Sequence, residues 1–306
     1  MDKIFTKVLI CIWLIVISFT TIQSASDQDL CNLCAKDGKS YYDHIYCMFP
    51  NPGPASKKGC RNVDISTITD SFRQKVLHWH NDYRNKFAEG TWPEQSGKNF
   101  PKAANMRYLH YDYQLEKLAR RNVQNCYYNH EPCRRVGRFA YGQNLGYESH
   151  SDKNNLPPDS ESTWNAWVNE MKDFDVKDVA EFGNGQHTGV VNHFVATTWA
   201  ETRVVGCAQS IYETEGMYRI EVACNYGPAG VIVGLPMYLA GDPATKCPEG
   251  TKAGFNATFP NLCGGINNED IPFFDPKEAA GTNVRISIIL KILLACYLIL
   301  VLDLRN

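Results

Sequence analysis

Two segments in the second half of the chain decide the fold. Residues 192–202 read NHFVATTWAET, and residues 224–230 read CNYGPAG. The first is a run of β-branched and aromatic residues that opens with a histidine. The second closes another such run with a cysteine and a Gly/Pro turn. Because β-branched and aromatic residues favour pleated, half-buried backbone, we expect both segments to belong to strands of one sheet.

The stretch between these segments predicts a hairpin. Residues 203–210 (RVVGCAQS) and 217–224 (MYRIEVAC) have strand composition, and Gly216 suits the bend between them. Cys207 and Cys224 then fall on opposite arms, where a cross-strand disulfide is sterically reasonable.

Composition excludes one class of function. The chain has 306 residues, a net charge of −2 and 44% hydrophobic residues, which is ordinary for one or two globular domains. Acidic and basic residues are interspersed, and no basic stripe of the kind that binds nucleic acid is present. We therefore expect no nucleic-acid partner.

The amino terminus predicts secretion. Lys3 and Lys7 precede the short apolar run VLICIWLIVIS at residues 8–18, and small residues follow as far as Ala25. A charged region, a short apolar region and a small-residue cleavage site make up a secretory signal peptide, which we assign to residues 1–25. The mature protein is then extracellular.

The cysteine count fits an oxidising compartment. The chain has twelve cysteines; Cys11 lies in the signal peptide and Cys296 in a carboxy-terminal apolar segment, which leaves ten. An even number in a secreted chain predicts a disulfide framework. Zinc binding by the Cys31-x-x-Cys34 pair is the alternative, and the oxidising compartment argues against it.

The rest of the chain predicts an α+β protein. Residues 26–68 are rich in cysteine and proline, so disulfides rather than regular structure should hold them. A helix should start with Thr69 as its N-cap and end at Gly90. Apolar spacing predicts two more helices over residues 113–126 and 161–172.

The first helix contains HNDYR at residues 80–84. Together with the two segments quoted above, this element resembles the CAP superfamily of cysteine-rich secretory proteins, antigen 5 proteins and pathogenesis-related proteins. The resemblance implies an α-β-α sandwich, with a small antiparallel sheet between helices and a core over residues 69–230. The cysteine-rich lead-in is similar to that of the insect antigen 5 (venom allergen-like) branch.

The resemblance also implies disulfide pairings, which spacing alone leaves open because six cysteines allow 15 connectivities. The pairs implied by the family are Cys31–Cys47, Cys34–Cys133, Cys60–Cys126 and Cys207–Cys224. Cys247 and Cys263 are then left to pair with each other in an extension outside the family core.

In CAP proteins, two histidines and two acidic residues line a cleft. On this sequence the histidines are His130 and His193, and one acid is Glu170 in the W-x-x-E element. The second acid belongs in a G-E-N segment, which here reads Gly-Gln143-Asn. The chain therefore departs from the family pattern at Gln143.

The departure at Gln143 predicts a weak metal site. Two neutral imidazoles and a carboxylate can bind Zn²⁺ with water in the open position, but an amide is a poor zinc ligand. Gln143 can still orient a histidine by hydrogen bonding. We expect Gln143→Glu to strengthen zinc binding. The alternative is that His130 and His193 only form a hydrogen-bonded cluster.

Three functions compete. The family resemblance favours a non-enzymatic extracellular module that binds a sterol, a fatty acid or a protein partner. A metal-assisted protease is the second hypothesis, but no G-x-S-x-G or H-E-x-x-H motif is present, and Pro132 follows His130-Glu131. A cell-surface recognition ectodomain without a small ligand is the third.

The carboxy-terminal part adds two predictions. Residues 231–283 form an extension with little apolar content, one disulfide and a glycosylation sequon at Asn256. Residues 284–306 are largely apolar but contain Lys291 and end in charges. A GPI signal, a transmembrane helix and a buried helix all remain open for this tail, and tethering to the membrane is favoured.

Overall fold

A computed structural model describes residues 30–35, 38–51, 53 and 59–265. The signal peptide and the tail at 284–306 lie outside the described residues. In the described part, a sheet that is antiparallel except for the parallel pair β2–β4 lies between helices, as the α+β prediction required. No helix of this part has both the length and the apolar content needed to cross a bilayer.

The α-helices are α1 (Ile45–Met48), α2 (Asp70–Ala88), α3 (Tyr113–Gln124), α4 (Glu161–Asn169) and α5 (Asn192–Thr198). Residues 30–35 are also helical. Single turns of 3-10 helix cover Tyr41–Asp43, Lys153–Asn155, Glu170–Asp173 and Val176–Val179. The strands are β1 (Arg61–Asp64), β2 (His110–Tyr111), β3 (Gly142–His150), β4 (Val204–Thr214) and β5 (Met217–Gly227).

Helix α2 begins and ends where the sequence predicts. The Thr69 hydroxyl accepts a hydrogen bond from the Phe72 amide at 3.2 Å, which satisfies one of the free N–H groups of the first turn. Gly90 follows the helix with a φ of +68°, the left-handed conformation that glycine tolerates best.

The central hairpin is longer than the sequence indicates. Strands β4 and β5 continue to a two-residue turn at Glu215 and Gly216, with φ values of 53° and 76°. Positive φ at both positions is the geometry that matches the twist of the flanking strands. The hairpin places Cys207 directly opposite Cys224, with 4.1 Å between their Cα atoms. The strand order is β1-β4-β5-β3, and β2 pairs with β4.

The strand expected over residues 192–202 is wrong, because residues 192–198 form α5. Two contacts explain why helix overrides strand propensity here. The Glu170 carboxylate accepts the free amides of His193 and Phe194 at 3.0 and 3.2 Å. Within the helix, the Thr197 and Thr198 hydroxyls donate to the carbonyls four residues earlier.

Alternate residues of the sheet face different helices. On one face, Asn225 donates to the Leu115 carbonyl of α3 at 3.0 Å. On the other face, Asn144 of β3 donates to the His193 carbonyl of α5, also at 3.0 Å. Because neighbouring strand residues point to opposite faces, Gln143 lies on the α3 side of the sheet.

Five disulfides hold the described residues together: the four pairings that the family resemblance implies, and the pairing of the two cysteines that it leaves over. They are Cys31–Cys47, Cys34–Cys133, Cys60–Cys126, Cys207–Cys224 and Cys247–Cys263.

The carboxy-terminal extension, which follows the family core in the sequence, packs against the rest of the domain as far as residue 265. Met237, Phe259 and Leu262 are buried in one cluster with Phe87 of α2. The backbone of Cys263 exchanges hydrogen bonds with residues 106 and 108 at 2.8 and 2.9 Å. The few apolar residues of this segment therefore anchor it to the domain.

Candidate functional site

The candidate cleft lies where β3 begins. Gln143 and Asn144 are consecutive on this edge strand, so their side chains leave opposite faces of the sheet. Gln143 contacts His130, which lies in the loop after α3. Asn144 contacts the first turn of α5, where His193 lies. The edge of the sheet thus brings the two histidine segments to one region of the surface.

His193 is held by Glu170. Its Nδ1 lies 2.6 Å from Glu170 Oε1, and its backbone amide donates to Oε2 at 3.0 Å. The imidazole also stacks on the Trp167 ring, with 5.8 Å between centroids and 13° between planes. Since a carboxylate only accepts hydrogen bonds, the Nδ1 of His193 carries the proton. The side chains of His193 and Glu170 are 28% and 16% exposed, so solvent reaches the pair.

His130 is held by Gln143 instead of an acid. Its Nδ1 lies 2.9 Å from Gln143 Oε1. Partial burial lowers the pKa of His130, the bond to Gln143 opposes that shift, and the charge of Arg134 reinforces it. A protonated His193 also lowers the pKa of His130.

Glu131 belongs to the same network, and sequence reasoning missed it. Its side chain is fully buried and receives hydrogen bonds from the Tyr141 hydroxyl at 2.7 Å and from Gln143 Nε2 at 3.2 Å. In the sequence, His130-Glu131 draws attention only as a possible part of a protease motif. The available signal was an acidic residue next to a cleft histidine in a chain that lacks the second cleft acid.

The predicted cleft residues form two pairs, not one cluster of three ligands. In the described residues, two groups of at least three potential donors have their ligand atoms within 4.8 Å of one another. They are Cys31/His44/Cys47 and His80/Cys207/Cys224. The sulfurs in both groups are bonded in disulfides, so neither group offers a thiolate to a metal.

Two polar side chains of the HNDYR element stabilise the fold. His80 is fully buried, with Nδ1 2.7 Å from the Val76 carbonyl and Nε2 3.0 Å from the Tyr226 hydroxyl. Arg84 is fully buried and donates to five backbone carbonyls, three of them in residues 197–200. These residues join α2 to the sheet and to α5.

A cavity of about 330 Å³ opens beside α2. It is lined by Asp70, Arg73, Gln74, Leu77, Tyr111 and Tyr113. The charged and amide groups in this lining differ from the apolar groove that an acyl chain needs. Binding of a sterol, a fatty acid or a protein partner therefore stays a prediction.

The sequon residue Asn256 is half-buried, and its Oδ1 accepts a hydrogen bond from the Thr258 amide at 2.9 Å. Ala257 and Thr258 beside it are exposed. Glycosylation at Asn256 also stays a prediction.

Comparison with known proteins gives a consistent result. Residues 77–226 match the model of the cysteine-rich secretory protein family. Venom allergen 5 of Microctonus hyperodae is 34% identical over 74% of this chain and 96% of its own length. Venom allergen 3 of Solenopsis invicta is 33% identical over 64% of this chain and 82% of its own length.

The fold also matches solved structures. A crystal structure of NaASP2 with Zn²⁺ has a TM-score of 0.51 and 27% identity, and the match covers 65% of this chain and 98% of that one. BmVAL-1 has a TM-score of 0.53 and 22% identity, over 64% of this chain and 95% of that one.

Proposed function

We propose that this chain, which belongs to the CAP superfamily and to its antigen 5 branch, is an extracellular, non-enzymatic protein whose cleft binds a divalent cation of the zinc class. The venom allergens to which it is similar and its five disulfides support an extracellular location. The structural relative solved with Zn²⁺ supports the choice of metal.

One observation carries the metal proposal: both cleft histidines are engaged through Nδ1. Gln143 Oε1 lies beside one ring and Glu170 Oε1 beside the other. In a neutral imidazole with a protonated Nδ1, Nε2 has a free lone pair and is the atom that ligates metal. A cation in the cleft would be held by these two Nε2 atoms, with water completing the coordination.

The donor set favours borderline cations over hard ones. Glu170 already accepts hydrogen bonds from two backbone amides and from an imidazole N–H, so it orients His193 instead of acting as a metal ligand. Ca²⁺ and Mg²⁺ prefer oxygen ligands, which this arrangement does not offer. We expect Zn²⁺, Ni²⁺ and Cu²⁺ to bind, and millimolar Ca²⁺ not to compete.

The arrangement of nucleophiles supports a non-enzymatic role. The cysteines of the described residues are all bonded in disulfides. The hydroxyls of Thr197 and Thr198, which lie near His193 in α5, donate to helix carbonyls. Nucleophilic catalysis needs a hydroxyl or thiolate held against a general base, and these two hydroxyls are engaged with the helix backbone instead.

Calorimetric titration of the secreted protein with ZnCl₂ tests the proposal. We expect His193→Ala and His130→Ala each to abolish binding, because two ligand nitrogens are the minimum for this site. Glu170→Gln should weaken binding about 10–100-fold, since it removes the charge behind His193. His150→Ala is the matched control, because His150 lies at the far end of β3 and its Nδ1 accepts a hydrogen bond from the Asp152 amide.

The control variant should bind like the wild type, and all four variants should keep the same unfolding temperature within a few degrees. Unchanged binding after His193→Ala would refute the cleft as the metal site. A wild-type protein that binds no Zn²⁺ would favour the alternative of a hydrogen-bonded cluster.

A further inference from the structure

We propose that Glu131 is a positioning residue of the cleft, which holds the Gln143 amide in the orientation that fixes His130 as the Nδ1–H tautomer. The proposal deepens the proposed function, and only its consequence for metal affinity rests on that function. The sequence pattern lacks a carboxylate at position 143. The structure provides one at Glu131, which follows His130 in the chain and contacts the Gln143 amide.

Glu131 is built into the protein as a hydrogen-bond acceptor. Its side chain is fully buried, and three donors converge on its two oxygens. The Tyr141 hydroxyl lies 2.7 Å from Oε1, Asn122 Nδ2 lies 3.3 Å from Oε2, and Gln143 Nε2 lies 3.2 Å from both. A buried polar group is costly unless hydrogen bonds compensate it, and these three donors satisfy both oxygens of Glu131.

The amide of Gln143 has no freedom to turn round. Its nitrogen donates to Glu131 and, at 3.0 Å, to Asn225 Oδ1. Asn225 is itself oriented, because its Nδ2 donates to the Leu115 carbonyl. The reversed amide would place Oε1 against the oxygens of Glu131 and Asn225, which are acceptors. Oε1 of Gln143 therefore faces His130.

The orientation of this oxygen decides the tautomer. Gln143 Oε1 lies 2.9 Å from His130 Nδ1, and a carbonyl oxygen can only accept. The proton of neutral His130 is therefore on Nδ1, and Nε2 is left with its lone pair. Glu170 does the same for His193 directly, at 2.6 Å. Both imidazoles are thus backed by a carboxylate, one of them through an intervening amide.

Long-range ¹H–¹⁵N NMR of the full-length, disulfide-bonded protein tests the proposal without metal. At about pH 8 the imidazoles are neutral, and the two ring nitrogens of each tautomer have distinct shifts. We expect wild-type His130 to be a single Nδ1–H form. Glu131→Met removes both acceptors at similar volume, so a second tautomer should appear. Glu131→Gln keeps an acceptor oxygen and should retain the wild-type form.

Tyr141→Phe is the control, since it removes a bond to Glu131 but leaves the Gln143 amide in place. Its His130 should match the wild type. An Nε2–H form in the wild type overturns the proposal, as does a folded Glu131→Met with a single Nδ1–H form. If Glu131→Met does not fold, the wild-type tautomer and Glu131→Gln decide the question.

Zinc titration of the same variants separates this inference from the proposed function. Loss of Glu131 should weaken Zn²⁺ binding about 10–100-fold, as other partners of metal-ligating histidines do. If the tautomers behave as expected and no protein in the series binds Zn²⁺, the proposed function fails and the positioning role of Glu131 stands.

Discussion

Gln143→Glu is the substitution on which sequence and structure disagree most sharply. The family pattern suggests that a carboxylate at position 143 strengthens the metal site. The structure predicts the opposite, because Gln143 Nε2 donates to the buried Glu131 carboxylate at 3.2 Å and to Asn225 Oδ1 at 3.0 Å. A glutamate there replaces both donors with an acceptor and brings two carboxylates together.

The cost follows from the bonds that are lost. A hydrogen bond to a charged group contributes about 1.5–3 kcal/mol and a neutral one about 1 kcal/mol. With the repulsion between two buried carboxylates, we expect a loss of about 3–5 kcal/mol in the free energy of unfolding, the range for a broken buried charge network. For a domain of this size that loss lowers the unfolding temperature by about 10 °C.

The pH dependence identifies the cause. Two adjacent carboxylates cannot both ionise, so the pair retains a proton and its folded-state pKa rises above the unfolded value. A raised carboxyl pKa destabilises the fold at neutral pH, and the penalty shrinks as pH falls toward the unfolded value near ~4.3. The deficit of Gln143→Glu relative to wild type should therefore be smaller at pH 5 than at pH 7.

Differential scanning calorimetry at the two pH values is the assay, and Gln143→Met is the matched control. The methionine variant loses the same hydrogen bonds but adds no charge, so its deficit should not depend on pH. Zinc affinity of Gln143→Glu should not exceed that of the wild type. A variant as stable as the wild type at pH 7, with tighter zinc binding, would refute this account of the cleft.

Three further predictions concern the fold. Burial lowers the pKa of His80 to about 4, so folding disfavours its protonation. As the pH falls from 7 to 5, this group should therefore lower the free energy of unfolding by about 2 kcal/mol. Denaturation curves of His80→Gln should lack this loss. Arg84→Lys should cost about 3–5 kcal/mol in urea unfolding, because a lysine cannot donate to all five carbonyls, four of which lie in residues 197–202. A cost below about 1 kcal/mol would contradict this. Replacing Cys247 and Cys263 by serine should lower the stability of the whole domain by about 3 kcal/mol, and limited proteolysis confined to the extension would show that its packing on the core is not needed.

Local signals in the sequence were sufficient for the elements that they specify. The N-cap at Thr69 and Gly90 after the helix fix α2, and the Glu215-Gly216 turn fixes the hairpin, because each depends on residues close in the chain. The strand predicted for residues 192–198 was wrong because these residues form a helix that depends on Glu170, more than twenty residues earlier. The burial of Phe259 and Leu262 likewise depends on a partner helix that is distant in sequence.

The candidate site shows the same division. The family pattern identified His130, Gln143, Glu170 and His193, but it did not predict which of them contact each other or through which atoms. Whether a carboxylate ligates a metal or supports a histidine depends on which donors it meets, and Glu170 meets three N–H groups of α5. No spacing rule contains that information.

Position 143 then has a physical interpretation that the motif alone obscures. An amide can donate to a buried carboxylate and at the same time accept from an imidazole, whereas an ionised carboxylate of the same length can only accept. Gln143 makes both contacts, to Glu131 and to His130. An acid at 143 and a buried acid at 131 therefore destabilise each other in this fold. It follows that a variant with glutamate at 143 should regain stability when a neutral residue replaces Glu131 as well.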